Sequence, residues 1–237
     1  MKKYCLLYFF IIFRISLYGQ ELPTYYKDLI YSIKENNFTD FKTLFAKVDN
    51  INRFIPENLE KESYNKLTLL GFACSYKRNK IVEFLLEKKA DLNLGVEDDY
   101  YVYDALYSIY QKDSLKKKSS AIGKLLLKKG ANPNTVYGDN TRSILHIACS
   151  KGDYAMVKLL LDNGADPNNS GNSGIEYKYY PLIEAVKNSD YRIIKLLLDA
   201  GADISVKDEY NKTALDYAIL SKNKKIINLL NKRITLI

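Results

Sequence analysis

Few side chains in this chain suit acid–base, nucleophilic or metal chemistry. Its 237 residues include one histidine, His146, and three cysteines, Cys5, Cys74 and Cys149. A nucleophile that needs a histidine base has a single candidate partner, and a zinc site built from histidine and cysteine has too few ligands. The sequence therefore predicts no catalytic residue, no metal ion and no enzyme activity.

The positions of the charged residues indicate turns and helix ends, and not a cofactor or nucleic-acid site. No glycine-rich loop leads into a Gly-Lys-Ser/Thr phosphate cradle, so no nucleotide cofactor is predicted. Lysines cluster beside inter-helix turns and helix C-termini, where cations complement the helix dipole. The formal charge of +8 falls to +5 without Lys2, Lys3 and Arg14 of the N-terminal segment. Nucleic acid is not an expected partner.

A tandem pattern of helical segments accounts for the placement of these residues. Each unit has a short apolar segment, a polar turn and a leucine-rich segment; the leucine-rich segments and their exits cover residues 82–93, 122–134, 157–168 and 194–204. Three of them stop at Gly130, Gly164 and Gly201, because glycine accepts the left-handed conformation that closes a helix. A lone helix pair cannot bury its apolar face, so neighbouring pairs must stack.

One unit carries a recognisable signature. Its residues Ser143-Ile144-Leu145-His146-Ile147-Ala148 resemble the ankyrin-repeat motif T-P-L-H-x-A, with 159–161 and 164–168 at that family's spacing. Weaker copies of the motif occupy 68–73, 100–105, 180–185 and 213–218. The chain is thus similar to ankyrin-repeat proteins from about residue 25 to 237. The resemblance implies an all-α solenoid of helix-turn-helix units joined by β-hairpin-like loops.

The motif spacing divides the array into about five repeats behind a degenerate N-terminal cap. Ala148 and Ala185 are 37 residues apart and Ala185 and Ala218 are 33 apart, which is the ankyrin period with one four-residue insertion. Within a repeat domain covering 20–237, we place the cap at about 25–52 and the repeats at about 66–94, 98–135, 141–170, 178–206 and 211–237.

The motif residues are predicted to support the fold. In the resembled family the histidine hydrogen-bonds backbone across a turn, which implies this role for the imidazole of His146. The full structural set is Thr68, Ala73, Leu145, His146, Ala148, Gly164, Pro181, Gly201, Thr213 and Ala218.

The two remaining cysteines are predicted to be free. Cys74 and Cys149 each follow a motif alanine, two repeats apart. Stacked helices lie about 8–10 Å from their neighbours, which places equivalent positions two units apart at roughly 20 Å. A disulfide needs α carbons within about 7 Å, so we expect two free and mostly buried thiols.

The resemblance places a protein-binding surface on the hairpin tips and the concave side of the first helices. The tips of this chain are rich in tyrosine, which offers contact area at low entropic cost. We expect a protein partner bound by a monomer. The candidate partner-binding residues are Asp99, Tyr100, Tyr101, Tyr137, Asp139, Asn140, Glu176, Tyr177, Tyr179, Asp208, Glu209 and Tyr210.

The first 19 residues have the features of a signal peptide. Lys2 and Lys3 precede a continuous apolar run from Tyr4 to Phe13, and small residues near Gly19 suit cleavage there. A membrane span needs about 20 apolar residues, more than this run provides. We predict export to the periplasm or the medium. The alternatives are an uncleaved N-terminal membrane anchor and a buried N-terminal helix.

The export hypothesis predicts a mature protein that begins near Gln20. Intact mass and N-terminal sequencing of the protein from its native host, in membrane and soluble extracytoplasmic fractions, provide the measurement. We expect the shortened chain in the soluble fraction, because cleavage removes the apolar run. An intact Met1 that stays with membranes after a salt wash supports the anchor instead, and an intact cytosolic chain contradicts both.

Overall fold

The computed structural model describes residues 24–55, 67–94, 105–110, 119–137, 142–171 and 178–235. The chain divides into two compact units, Met1–Val48 and Asp49–Ile237. The predicted signal peptide at 1–19 lies outside the described residues.

The first unit contains a helical hairpin. Helix α1 (Tyr25–Lys34) packs against α2 (Phe38–Phe45). Asn36 makes the turn between them at φ 60°, a left-handed conformation that asparagine tolerates. The side chain of Asn37 caps α2 by accepting a hydrogen bond from the backbone N–H of Asp40 at 3.1 Å.

The second unit is a series of short helix pairs and two small hairpins. Strands β1 (Phe54–Ile55) and β2 (Leu67–Thr68) pair antiparallel, as do β3 (Val136–Tyr137) and β4 (Arg142–Ser143). The helices are α3 (Leu69–Ser75), α4 (Asn79–Glu87), α5 (Ala105–Ser108), α6 (Ser119–Lys128), α7 (Ile144–Ser150), α8 (Tyr154–Asp162), α9 (Pro181–Lys187), α10 (Tyr191–Asp199), α11 (Ala214–Leu220) and α12 (Lys224–Ile234).

Side-chain caps start most of these helices at fixed places. The hydroxyls of Thr68, Ser143 and Thr213 accept hydrogen bonds from backbone N–H groups three residues further on, at 3.1–3.3 Å. Pro181 occupies the first turn of α9, where its missing N–H costs nothing. These residues therefore fix where α3, α7, α9 and α11 begin.

The core forms where equivalent helices stack. The first helices pack in the pairs α3–α5, α7–α9 and α9–α11, and the second helices in the pairs α4–α6, α6–α8 and α8–α10. Their facing residues are buried aliphatic side chains, including Leu85, Leu126, Leu160 and Leu197 at one equivalent position. The predicted all-α repeat fold is confirmed. Across the described residues, no helix combines the length and apolar character needed to cross a membrane.

Four asparagine side chains join the backbones of neighbouring repeats. Each Oδ1 accepts a hydrogen bond from a backbone N–H one repeat further along the chain, at 2.7–3.0 Å. Three of the Nδ2 groups also donate, at 3.2–3.3 Å, to the carbonyls of Gly130, Gly164 and Gly201. These contacts satisfy carbonyls left open where a second helix ends. This asparagine ladder consists of Asn52, Asn93, Asn134 and Asn168.

Replacing Asn134 with alanine is expected to lower the free energy of unfolding by about 1–2 kcal/mol, because the bonds to the Asp166 N–H and the Gly164 carbonyl are both lost. Urea unfolding followed by circular dichroism measures the change. Asn228→Ala, on the exposed surface of α12, is the control, and its stability should stay equal or rise slightly because alanine favours the helix. Equal stability of the two variants would contradict a structural role for the ladder.

Candidate protein-binding surface

Only part of the predicted binding surface lies among the described residues. Asp99, Tyr100, Tyr101, Asp139, Asn140, Glu176 and Tyr177 lie outside them, as does the side chain of Tyr137. Tyr179, Asp208, Glu209 and Tyr210 are described. The last three belong to one tip, the loop 208–212 that precedes α11.

The carboxylate of Asp208 holds this tip in shape. Its Oδ1 accepts hydrogen bonds from the backbone N–H groups of Tyr210 and Lys212, at 3.0 and 3.2 Å. Asn211 takes the left-handed conformation at φ 57°, and its N–H donates to the Asp208 carbonyl. The tip is therefore fixed from inside, while the side chain of Tyr210 is 67% exposed.

The second oxygen of Asp208 connects the tip to two first helices. It accepts a hydrogen bond from Tyr217 Oη on α11 at 2.6 Å and forms an ion pair with Lys187 Nζ on α9 at 3.3 Å. The Lys187 ammonium also lies 4.4 Å from the centre of the Tyr217 ring, within cation–π range. The side chain of Asp208 is only 2% exposed, so this residue supports the tip from beneath its surface.

The same contacts set the protonation of the cluster. Burial by itself raises the pKa of Asp208, but the hydrogen bonds from Tyr217, the two N–H groups and Lys187 together outweigh it and lower that pKa below 3.8. Burial and the Asp208 hydrogen bond raise the pKa of Tyr217 well above its usual range. The carboxylate is therefore ionised and the phenol neutral at pH 7.

A second cluster links the repeat of α7 to that of α9. The Arg142 guanidinium lies 4.9 Å from the centre of the Tyr179 ring, and that ring meets His146 edge-on at 5.4 Å. His146 Nε2 lies 3.7 Å from Glu184 Oε2. Interaction with His146 is the largest cause of a lowered pKa at Glu184.

The backbone hydrogen bond expected from His146 is not found among the described residues. We expected its imidazole to hydrogen-bond backbone across a turn, but Nδ1 is buried and has no hydrogen-bond partner among the described residues. The Nε2 side approaches Glu184 instead. Glu184 occupies the place that Ile147 has in the previous repeat, so a carboxylate on the neighbouring helix draws the ring toward that repeat. His146 still bridges two repeats.

Both clusters lie on the side of the stack formed by the hairpins and first helices. In each of them a cation covers a tyrosine ring that belongs to a neighbouring element, so the positions of the rings and the charged groups are fixed. We call this set the hairpin side, and it comprises Arg142, His146, Tyr179, Glu184, Lys187, Glu209, Tyr210, Lys212 and Tyr217.

Arg142, Glu184, Lys187, Lys212 and Tyr217 were not among the predicted binding residues. Comparison of equivalent positions in the repeats could have found most of them from the sequence. Arg142, Tyr179 and Lys212 each stand one residue before the first position of a motif, and Glu184 and Tyr217 each stand one before a motif alanine. Equivalent positions of stacked repeats lie side by side, which makes such a set a continuous surface.

The prediction that Cys74 and Cys149 form no disulfide is confirmed among the described residues, where both are buried. Burial raises the pKa of the Cys149 thiol well above its usual value, with smaller effects from Glu184 and Asp190, so it stays protonated and is a poor nucleophile. Within the described ranges, no group of three or more histidine, cysteine and carboxylate side chains is placed to hold a metal ion.

The stacked helix pairs, hairpins and interrepeat contacts define a repeat protein. The family model for ankyrin repeats in many copies matches residues 145–198 and 182–230, the model for three copies matches 114–171, and a single-repeat model matches 65–94. The chain belongs to the ankyrin-repeat family. No curated protein matches it. Ankyrin repeats are generally modules for protein–protein interaction and are typically not enzymes.

Asp208→Asn is expected to lower the free energy of unfolding at pH 7 by about 1–3 kcal/mol, because a charged hydrogen-bond acceptor inside the tip is lost. The lowered pKa of Asp208 means that its ionised form stabilises the fold fully above pH 3.8 and that this stabilisation disappears as the pH falls through the folded-state pKa. The loss measured by urea unfolding should therefore shrink toward low pH. Glu209→Gln is the control, and a pH-independent loss at Asp208 would contradict the assignment.

Proposed function

We propose that the chain is an exported, non-enzymatic binding module that holds a partner protein on its hairpin side. Export is proposed from the N-terminal segment, with its two lysines and its apolar run. The module acts as a monomeric scaffold or as an inhibitor-like binder. The partner protein contacts both the hairpin tips and the adjoining first helices.

The observation that carries the proposal is the exposed Tyr210 on a tip held from inside. A large amphipathic ring on a rigid loop is a favourable anchor, since little conformational entropy is lost when a partner covers it. The rings of Tyr179 and Tyr217 and the cations Arg142 and Lys187 extend the same surface along the stack. Tyrosine and arginine are the residue types that dominate binding energy at protein interfaces.

Site-specific photo-crosslinking tests this surface, with a crosslinking amino acid placed at Tyr210 or at Tyr31. The two side chains are almost equally exposed, at 67% and 63%, and only Tyr210 lies on a hairpin tip. In the extracytoplasmic fraction of the native host we expect one discrete adduct from position 210 and none from position 31. Tyr210→Ala should then weaken binding of the identified partner by roughly tenfold, as expected for a tyrosine anchor.

Two controls separate contact from folding. Tyr31→Ala removes an equally exposed ring and should leave the affinity unchanged. Circular dichroism should give the same helical signal for both variants, because neither ring is part of the core. Equal adducts from the two positions, or equal affinity of Tyr210→Ala and the parent chain, would place the binding surface elsewhere.

A further inference from the structure

The repeat formed by α11 and α12 exposes an apolar position that is buried in the other described repeats. The residue after the motif alanine is Cys74 in α3, Cys149 in α7 and Val186 in α9, and each is at most 1% exposed. The equivalent residue in α11 is Ile219, which is 54% exposed. α9 packs between α7 and α11, whereas the described neighbours of α11 are α9 and α12. Ile219 therefore lies on a stacking surface with no described helix over it.

Further apolar side chains of the same helix pair are exposed with Ile219. Leu220 is 61% and Ile234 44% exposed. The other large hydrophobic side chains with comparable exposure among the described residues are the two tyrosines of the crosslinking pair. Ile219 and Leu220 are adjacent at the C-terminal end of α11, whereas Ile234 is the last residue of α12, about 15 Å along that helix from Lys224. Two adjacent exposed aliphatic side chains indicate an interaction surface better than isolated ones do. We call Ile219 and Leu220 the end face.

The charge around the end face is mainly positive. The α11–α12 pair carries five lysines and arginines and one carboxylate, Asp216, whose Oδ2 accepts hydrogen bonds from Thr213 at the start of α11. Two of the five point back along the stack, since Lys225 covers the Tyr191 ring at 4.1 Å and Arg233 donates to the Leu198 carbonyl at 2.7 Å. Lys222, Lys224 and Lys232 are exposed on the same pair. An apolar patch with a cationic border favours a partner with an apolar stripe flanked by carboxylates.

We propose that the end face docks an acidic amphipathic helix of another protein, which continues the stack in the position of a following first helix. The occupant is a helix because the residues equivalent to Ile219 lie in the interfaces between stacked first helices. It is acidic because of the lysines at the border. A second copy docking through its own end face would bring two lysine-rich surfaces together, which costs free energy. This surface is separate from the hairpin side.

The probe is a synthetic amphipathic peptide of about 18 residues, long enough to form a helix, with leucines along one face and glutamates beside them. A matched peptide carries lysines in place of the glutamates. Binding to the full chain is measured by fluorescence anisotropy. We expect the glutamate peptide to bind at least about tenfold more tightly than the lysine peptide, and its affinity to fall as salt rises.

Variants of the chain locate the site. Ile219→Asp and, separately, Leu220→Gln should each raise the Kd of the glutamate peptide by about tenfold or more, as for the central residues of an interface. Both positions are exposed, so the helical circular dichroism signal should be unchanged, and either variant suffices if the other fails to fold. Tyr210→Asp, equally exposed but on the tip, should leave the Kd unchanged, which separates this result from the crosslinking at position 210.

Three outcomes would overturn the proposal. The first is equal affinity for the two peptides, or affinity that Ile219→Asp and Leu220→Gln leave unchanged. The second is a concentration-dependent dimer in sedimentation equilibrium that Ile219→Asp abolishes, which assigns the end face to a second copy. The third is cosedimentation with vesicles of phosphatidylserine and phosphatidylcholine that Ile219→Asp abolishes, which assigns it to an anionic membrane surface.

Discussion

The brevity of the helices is the constraint on which the second unit depends. The first helices have four to seven residues and the second helices nine to eleven, which is shorter than the roughly 12–15 residues that an isolated helix needs in water. Each pair is therefore stable only when its apolar face is covered by the next pair. Apolar packing alone does not fix how one repeat is positioned on the next. The asparagine ladder sets this register, because one side chain per repeat hydrogen-bonds the backbone of the following repeat.

The turns between the helices impose a backbone requirement that leaves the side chain free to vary. Lys77, Gly152, Ser189 and Lys222 occupy equivalent positions after a first helix, all with φ between 55° and 63°. Only glycine adopts this conformation without steric cost, so three of the four turns are strained and are maintained by the stacking around them. Two of these turn positions, Lys77 and Lys222, carry a cation, and Lys222 belongs to the lysine border of the end face.

Features that follow from residue spacing could be predicted from the sequence. The contacts of side chains that have several possible partners could not. Helix order, glycine stops and buried thiols follow from spacing, and the structure contains all three. Asp208 was predicted as a partner-binding residue because hairpin tips are usually exposed, yet its carboxylate turns inward to Tyr217 and Lys187. Lys187 and Asp208 are 21 residues apart, and no local pattern shows that their rotamers meet. The same reason accounts for the partner of His146.

The contacts on the hairpin side matter more for geometry than for stability. Cation–π pairs and exposed ion pairs contribute about 1 kcal/mol or less each. Because Arg142 reaches the ring of Tyr179 and Lys187 reaches the ring of Tyr217, both of these cation–π contacts cross from one repeat to the next. They fix tyrosine rings and charges on a scaffold that stacking has already ordered. Because these side chains are already ordered, less conformational entropy is lost when a partner binds them than when a flexible loop is bound. Contacts that add little to the stability of the fold therefore lower the free-energy cost of binding.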